Sequence, residues 1–208
     1  MDIEAIKLNL REYYNSEAEY RNSSDKEEWK KLERGIFYNY LVQEGKKTLL
    51  ELGAGAGQDS KFFMDCGLKV TAVDLSREMV KKCREKGIDA YELDFYNLSA
   101  LNKKYDCIWS MNSLLHIPKS DFPKVLKNID NVLNDEGLFY MGVYGGEDTE
   151  NDWINDVSQI PRFFSYYSEN KLRAVLQDIF EIISFEQFNV GRNIDFQSIF
   201  MRKIKRGS

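Results

Sequence analysis

The stretch Thr48-Leu49-Leu50-Glu51-Leu52-Gly53-Ala54-Gly55-Ala56-Gly57-Gln58-Asp59-Ser60 constrains this chain more than any other. It opens as a short buried strand, turns through glycines at alternate positions, and runs into a helical pattern. Strand, glycine turn and helix are the parts of a nucleotide-binding βα unit. Glycine suits a backbone that must take positive φ or approach a ligand closely. The helix N-terminus then offers N–H groups and a favourable dipole to a polar or anionic group. A tight strand-to-helix turn holding no ligand would use the same residues, so the rest of the chain must decide.

The dinucleotide fingerprint G-x-G-x-x-G asks for glycine where Gln58 stands. The order Glu51-x-Gly53-x-Gly55-x-Gly57 instead resembles motif I of the class I S-adenosylmethionine-dependent methyltransferases. The resemblance covers roughly residues 30–145 by motif and the last three elements by topology only. It implies a Rossmann-like α/β fold, with a seven-stranded, mostly parallel sheet, helices on both faces and a C-terminal antiparallel hairpin. A plain dinucleotide domain would have six parallel strands.

The periodicity agrees. Strands are expected at 48–52, 69–74, 88–93, 105–111 and 138–144, alternating with helices over about 57–66, after Ser76 and after Ser120. Residues 180–190 and 194–204 read as a hairpin around Gly191, which forces one antiparallel strand. Ahead of the sheet, residues 2–14 form an amphipathic helix and 15–23 a polar loop. A second helix begins at a Ser24/Glu27 capping box, with Trp29, Leu32, Ile36, Phe37, Tyr40 and Leu41 inward. The chain therefore reads as one domain over 1–208. A helical cap occupies 1–45 and a core 46–208, with 145–167 as an aromatic-rich substrate-side connection.

In an open α/β sheet the ligand sits beyond the carboxyl ends of the strands. Strand 1 delivers Gly53, Ala54, Gly55 and Gly57, and with them Glu51 and Asp59. Strand 2 delivers Asp74 and Leu75, about twenty positions on from Gly53, where a carboxylate can hold both ribose hydroxyls and repel a 2′-phosphate. Strand 3 delivers Asp94 and Phe95. The resemblance implies that such an Asp bonds the adenine amino group and that its apolar neighbour covers the ring. Strand 4 delivers Ser110 and Met111, then Leu115-His116-Ile117-Pro118, similar to the family's motif IV region. His116, the only histidine, is the candidate proton acceptor, although lone histidines are often structural. Arg34 in the cap is a candidate for the cofactor carboxylate. Tyr14, Trp153, Arg162 and Phe163 are candidates for the acceptor, among further aromatics (Tyr13, Tyr20, Tyr144, Phe164, Tyr166, Tyr167) and Asp156.

Net charge is −5 and the sequence pI is about 5.2, against the basic balance of a general nucleic-acid binder. The basic end Arg202-Lys203-Ile204-Lys205-Arg206 reads as a solvated last strand. Cys66, Cys83 and Cys107 form no C-x-x-C, and one histidine leaves no metal-ligand set. An odd, unpaired cysteine count fits a reducing compartment, and no run reaches membrane-spanning length. The expectation is a cytoplasmic monomer or homodimer. S-adenosyl-L-methionine is the implied cofactor, no metal is needed, and a small molecule accepts the methyl group. The alternatives are a nicotinamide-dependent oxidoreductase of related fold and a non-catalytic protein that binds the cofactor.

Overall fold

A computed structural model describes residues 2–153, 158–191 and 195–205. Asp156, Ile194 and Arg206, expected in the connection, the last strand and the basic end, lie outside the described residues. The cap consists of α1 (Ile3–Ser16), α2 (Ala18–Ser23) and α3 (Glu28–Gln43). The core then alternates β1 (Thr48–Leu52), α4 (Gln58–Asp65), β2 (Lys69–Asp74), α5 (Arg77–Glu85), β3 (Asp89–Glu92), β4 (Tyr105–Met111), α6 (Phe122–Val132) and β5 (Leu133–Gly145). A short hairpin follows, β6 (Thr149–Trp153) with β7 (Arg162–Tyr166), and then α7 (Glu169–Gln177), β8 (Phe180–Asn189) and β9 (Asp195–Lys203).

Seven strands form the main sheet in the order β3-β2-β1-β4-β5-β9-β8. The first five run parallel, and β9 is antiparallel to both of its neighbours. Helices cover both faces, so successive strand residues alternate between two apolar cores. Leu50, Leu52, Ile108, Phe139 and Met141 meet α6 and α7 on one face. Leu49, Cys107, Trp109, Tyr140 and Phe200 meet Phe37 and Leu41 of α3 and Phe63 of α4 on the other. Trp109 and Tyr140 stack there at 4.1 Å between ring centroids.

Four features depart from the sequence expectation. Residues 18–23 are helical rather than a loop, because tertiary contacts hold them: Gln58 Nε2 donates to the carbonyls of Arg21 and Ser24. The Ser24/Glu27 capping box does not form. The helix starts at Glu28, and Ser24 Oγ donates instead to the Arg21 carbonyl. On α3, Leu32 and Ile36 face outward while Glu33 is buried, satisfied by the hydroxyls of Tyr140 and Ser198. The connection 145–167 is not irregular throughout, since it contains the β6–β7 hairpin, paired from Thr149↔Tyr166 to Trp153↔Arg162.

The register puts the useful strand ends side by side. Leu52 of β1 lies opposite Val73 of β2 and Ser110 of β4, and Asp74 lies opposite Glu92 of β3. The cap closes over this edge, with α1 packed against α5 and β7.

Candidate active site

A cleft of about 910 Å³ runs along the carboxyl ends of β1 to β4, beneath α1, α2 and the β6–β7 hairpin. That volume lies within the range typical of small-molecule sites, roughly 300–1,000 Å³. Gly53, Ala54 and Gly55 line its floor, with Glu51, Asp59, Asp74, Leu75, Asp94, Phe95 and Met111. The acceptor candidates Tyr14, His116, Trp153 and Arg162 line the same cleft.

The floor is built by the glycine turn. Its first two N–H groups, of Gly53 and Ala54, both donate to the Val73 carbonyl, at 2.9 and 3.1 Å. Gly55 has φ +54°, and an added Cβ would meet nothing within 4 Å, so its backbone faces open space. Gly57 also has positive φ but does not line the cleft. A Cβ there would come within 2.7 Å of Ile88 and 2.8 Å of the Cys83 sulfur. Gly57 is thus needed for helix-to-sheet packing, not for ligand approach.

Asp74 ties the turn to the next strand. Its Oδ2 accepts from the Gly55 N–H and its Oδ1 from the Ser76 N–H, both at 2.8 Å. Burial pushes its pKa up, and those two N–H groups oppose the rise. Each oxygen keeps a lone pair for another donor. Ser76 caps α5 as expected, accepting from Met79 N. Asp94 accepts from the Tyr96 N–H at 3.0 Å and from Asn97 Nδ2 at 2.8 Å, and pairs with Lys7 of α1 at 3.0 Å.

Beneath the turn lie two carboxyl groups of unlike character, Asp59 and Glu51. Asp59 is almost fully buried, held by Arg34 Nη1 at 2.8 Å, Lys26 Nζ at 2.5 Å and Trp109 Nε1 at 3.0 Å. Burial alone would raise its pKa, but the two cations outweigh it and hold the carboxyl below the usual range. Glu51, bonded by Ser60, goes the other way. Burial and the Asp59 charge push it up to about 8.

The opposite wall carries His116. Its Nδ1 lies 2.7 Å from the Phe163 carbonyl, which can only accept, so Nδ1 bears the proton. Nε2 is therefore the bare nitrogen, and it accepts from the Tyr14 hydroxyl at 2.7 Å. Burial, reinforced by the Arg162 and Arg21 charges, lowers the His116 pKa to about 4, so the ring is neutral. Burial raises the Tyr14 pKa, and the same two cations oppose it.

Besides Gly57, three expected site residues stand elsewhere. Arg34 is committed to Asp59 and stacks on Phe62, outside the cleft lining. Ser110 is fully buried, bonded to the Ser113 hydroxyl at 2.7 Å. Phe163 packs into a small core with Ile6 and Leu10 because alternate residues of β7 point inward, and its neighbours Phe164 and Tyr166 line the cleft instead. Sequence reasoning missed Arg21, Lys26, Lys7 and Asn112, which also line the cleft. Asn112 was visible as the polar residue that follows β4. The others lay in segments with no local signal. No group of three or more metal-ligating side chains occurs among the described residues, and no described helix is long and apolar enough to cross a membrane.

Residues 49–137 match the methyltransferase-domain family. An uncharacterized methyltransferase of Oceanobacillus iheyensis is 27% identical over 104 residues, 49% of this chain and 49% of that one, so the match spans about half of that curated relative. Among solved structures, the DhpI–S-adenosylhomocysteine complex superposes with TM-score 0.76 at 17% identity, over 98% of this chain and 99% of that one. The Burkholderia thailandensis 1,6-didemethyltoxoflavin N1-methyltransferase, solved with 1,6-didemethyltoxoflavin and S-adenosylhomocysteine, gives 0.71 at 20% identity, over 95% and 88%. Magnesium protoporphyrin IX methyltransferase from Synechocystis PCC 6803, with S-adenosylmethionine bound, gives 0.72 at 16% identity, over 98% of each chain. The chain thus carries a methyltransferase-domain match over its βα core and shares its fold with these S-adenosylmethionine-dependent enzymes.

Proposed function

We propose that this protein transfers a methyl group from S-adenosylmethionine to a small-molecule acceptor by in-line displacement. The supporting observation is that Gly55, Asp74 and Asp94, delivered by three different strand ends, line one cleft that also contains His116. When bound, S-adenosylmethionine supplies an electrophilic methyl group on a positively charged sulfur.

The chain's own work is binding, alignment and proton removal. The Gly53–Gly55 turn lets the backbone approach the nucleoside. Asp74 uses its remaining lone pairs for the ribose hydroxyls, while Asp94 and Phe95 stand at the adenine end. Arg21 takes the role first expected of Arg34 and meets the cofactor carboxylate. It lines the cleft, its Nε is buried with no hydrogen-bond partner, and among the described residues no carboxylate pairs with it. The cap and the hairpin exclude water. The Tyr14 hydroxyl accepts a proton from the acceptor as it passes its own to His116 Nε2. The imidazolium so formed replaces the positive charge that leaves the sulfur, and the net charge of the buried site is conserved.

Calorimetry with S-adenosylhomocysteine and with NADH tests the reading. Binding of the former alone is expected, and binding of NADH alone would overturn it. An acceptor screen with labelled S-adenosylmethionine then separates an enzyme from a protein that merely binds the cofactor.

A further inference from the structure

Arg162 occupies an unusual position for a cation. Its guanidinium lies 4.2 Å from the ring centre of Tyr13, 4.7 Å from that of Trp153 and 5.1 Å from that of Phe164. Rings on its flanks leave the N–H groups available mainly in the guanidinium plane. Its fork reaches the Tyr14 hydroxyl, but its Nε is buried with no hydrogen-bond partner, and among the described residues no carboxylate pairs with it. By contrast, the cleft lysines Lys7, Lys26 and Lys30 each have a carboxylate partner. A buried donor without an acceptor is costly, and a guanidinium fork matches a planar oxyanion. The surrounding wall is flat and aromatic, with Phe164 and Tyr166 stacked at 5.7 Å and 22°.

We infer that the methyl acceptor is a planar aromatic molecule carrying a carboxylate or comparable oxyanion, and that Arg162 receives this anion. The inference rests on the methyl-transfer reading and names the substrate class of that same site. Arg162 also reaches the Tyr14 hydroxyl, but neither arginine has a carboxylate partner among the described residues, so Arg21 serves the cofactor carboxylate and Arg162 the acceptor anion. The stacked rings hold Arg162 in one orientation, so its bond to the anion costs little side-chain freedom. The arrangement turns the acceptor so that its nucleophile faces Tyr14 and its acid faces the hairpin.

The test is calorimetry on the full chain saturated with S-adenosylhomocysteine. It is titrated with 4-hydroxybenzoate, indole-3-carboxylate and 2-naphthoate, and in parallel with their primary amides. Acids are expected to bind at least about tenfold tighter than amides, as a charge-assisted bidentate contact requires. Arg162→Gln should abolish that preference and leave S-adenosylhomocysteine affinity intact, which also shows that the variant folds. Arg162→Lys should retain part of it. Equal binding of acids and amides, a preference that survives Arg162→Gln, or no acid binding at millimolar concentration overturns the inference. If S-adenosylhomocysteine itself does not bind, the methyl-transfer reading falls and this inference falls with it.

Discussion

The Tyr14 hydroxyl and the His116 Nε2 lie 2.7 Å apart, one supplied by the cap and the other by the sheet edge. The contact joins the first helix to residues a hundred positions downstream, so the proposed proton acceptor is complete only when α1 is docked.

Removing either partner should therefore cost turnover more than cofactor binding. Tyr14→Phe leaves Nε2 buried without a donor, which costs about 1–3 kcal/mol of stability. Its turnover should fall roughly 10²-fold or more, as for loss of a positioned proton-transfer group. S-adenosylhomocysteine affinity measured by calorimetry should stay within about threefold. Equal loss of affinity and turnover would show a packing role only.

The pH dependence of stability has a defined sign. His116 titrates near 4 in the folded chain, below its ordinary value of 6.5, so the unfolded chain takes the proton first as pH falls. Stability from this group is whole above pH 6.5 and declines between 6.5 and 4. The decline amounts to roughly 3 kcal/mol and levels off below that window. Glu51 acts oppositely, because its raised pKa adds stability as pH falls towards the ordinary carboxylate range. Denaturant melts of the parent and His116→Asn at pH 7 and pH 5 isolate the first effect. The parent should lose more stability than the variant, and parallel losses would refute the assignment.

Asp74→Ala removes the proposed ribose contacts and frees the Gly55 N–H that the carboxylate now holds. S-adenosylhomocysteine affinity should fall about 10- to 100-fold, the worth of a charge-assisted hydrogen bond. Unchanged affinity in calorimetry would take Asp74 out of the site.

The two arginines of the cap should separate. Arg21→Ala is expected to weaken S-adenosylhomocysteine about tenfold or more with little change in melting temperature. Arg34→Ala strips one cation from the buried Asp59, so it should destabilise by about 2 kcal/mol and leave affinity within about threefold. The reverse pattern would restore Arg34 to the cofactor.

The glycines should separate in the same way. Gly57→Ala drives a Cβ against Ile88 and Cys83, at a cost of about 2–3 kcal/mol in thermal melts. Gly55→Ala meets no neighbour, so beyond a cost of about 1–2 kcal/mol for any side chain at its positive φ it should mostly impair cofactor binding. Similar melting losses for the two would count against the open face at Gly55.

The alternation of buried strands with capped helices was legible because elements covered on both faces carry an unmistakable apolar pattern, and β1, β2 and β4 fell where expected. The sheet edge was legible too, since a glycine turn and the acids that follow it depend on local spacing. What stayed hidden depends on contacts made at long range. Residues 18–23 are polar and form a helix only because Gln58 and Lys82 reach them. Glu33 breaks the apolar face of α3, yet it is buried because Tyr140 and Ser198, far along the chain, satisfy it. Strand β6 contains Asn151 and Asp152, poor strand formers, and only pairing with β7 makes it a strand. Arg34 looked available because nothing nearby in sequence reveals that Asp59 has claimed it.

The hairpin strand β7 gives its Phe163 carbonyl to His116 Nδ1 while the next side chain, Phe164, faces the cleft. One short hairpin thereby sets both the tautomer of the proposed base and the shape of the cleft. A lineage that remodelled this ribbon to admit a new molecule would also disturb the imidazole's proton. Diversification here should therefore proceed by exchange of side chains along a preserved backbone, and loops of altered length should be scarce among functional descendants.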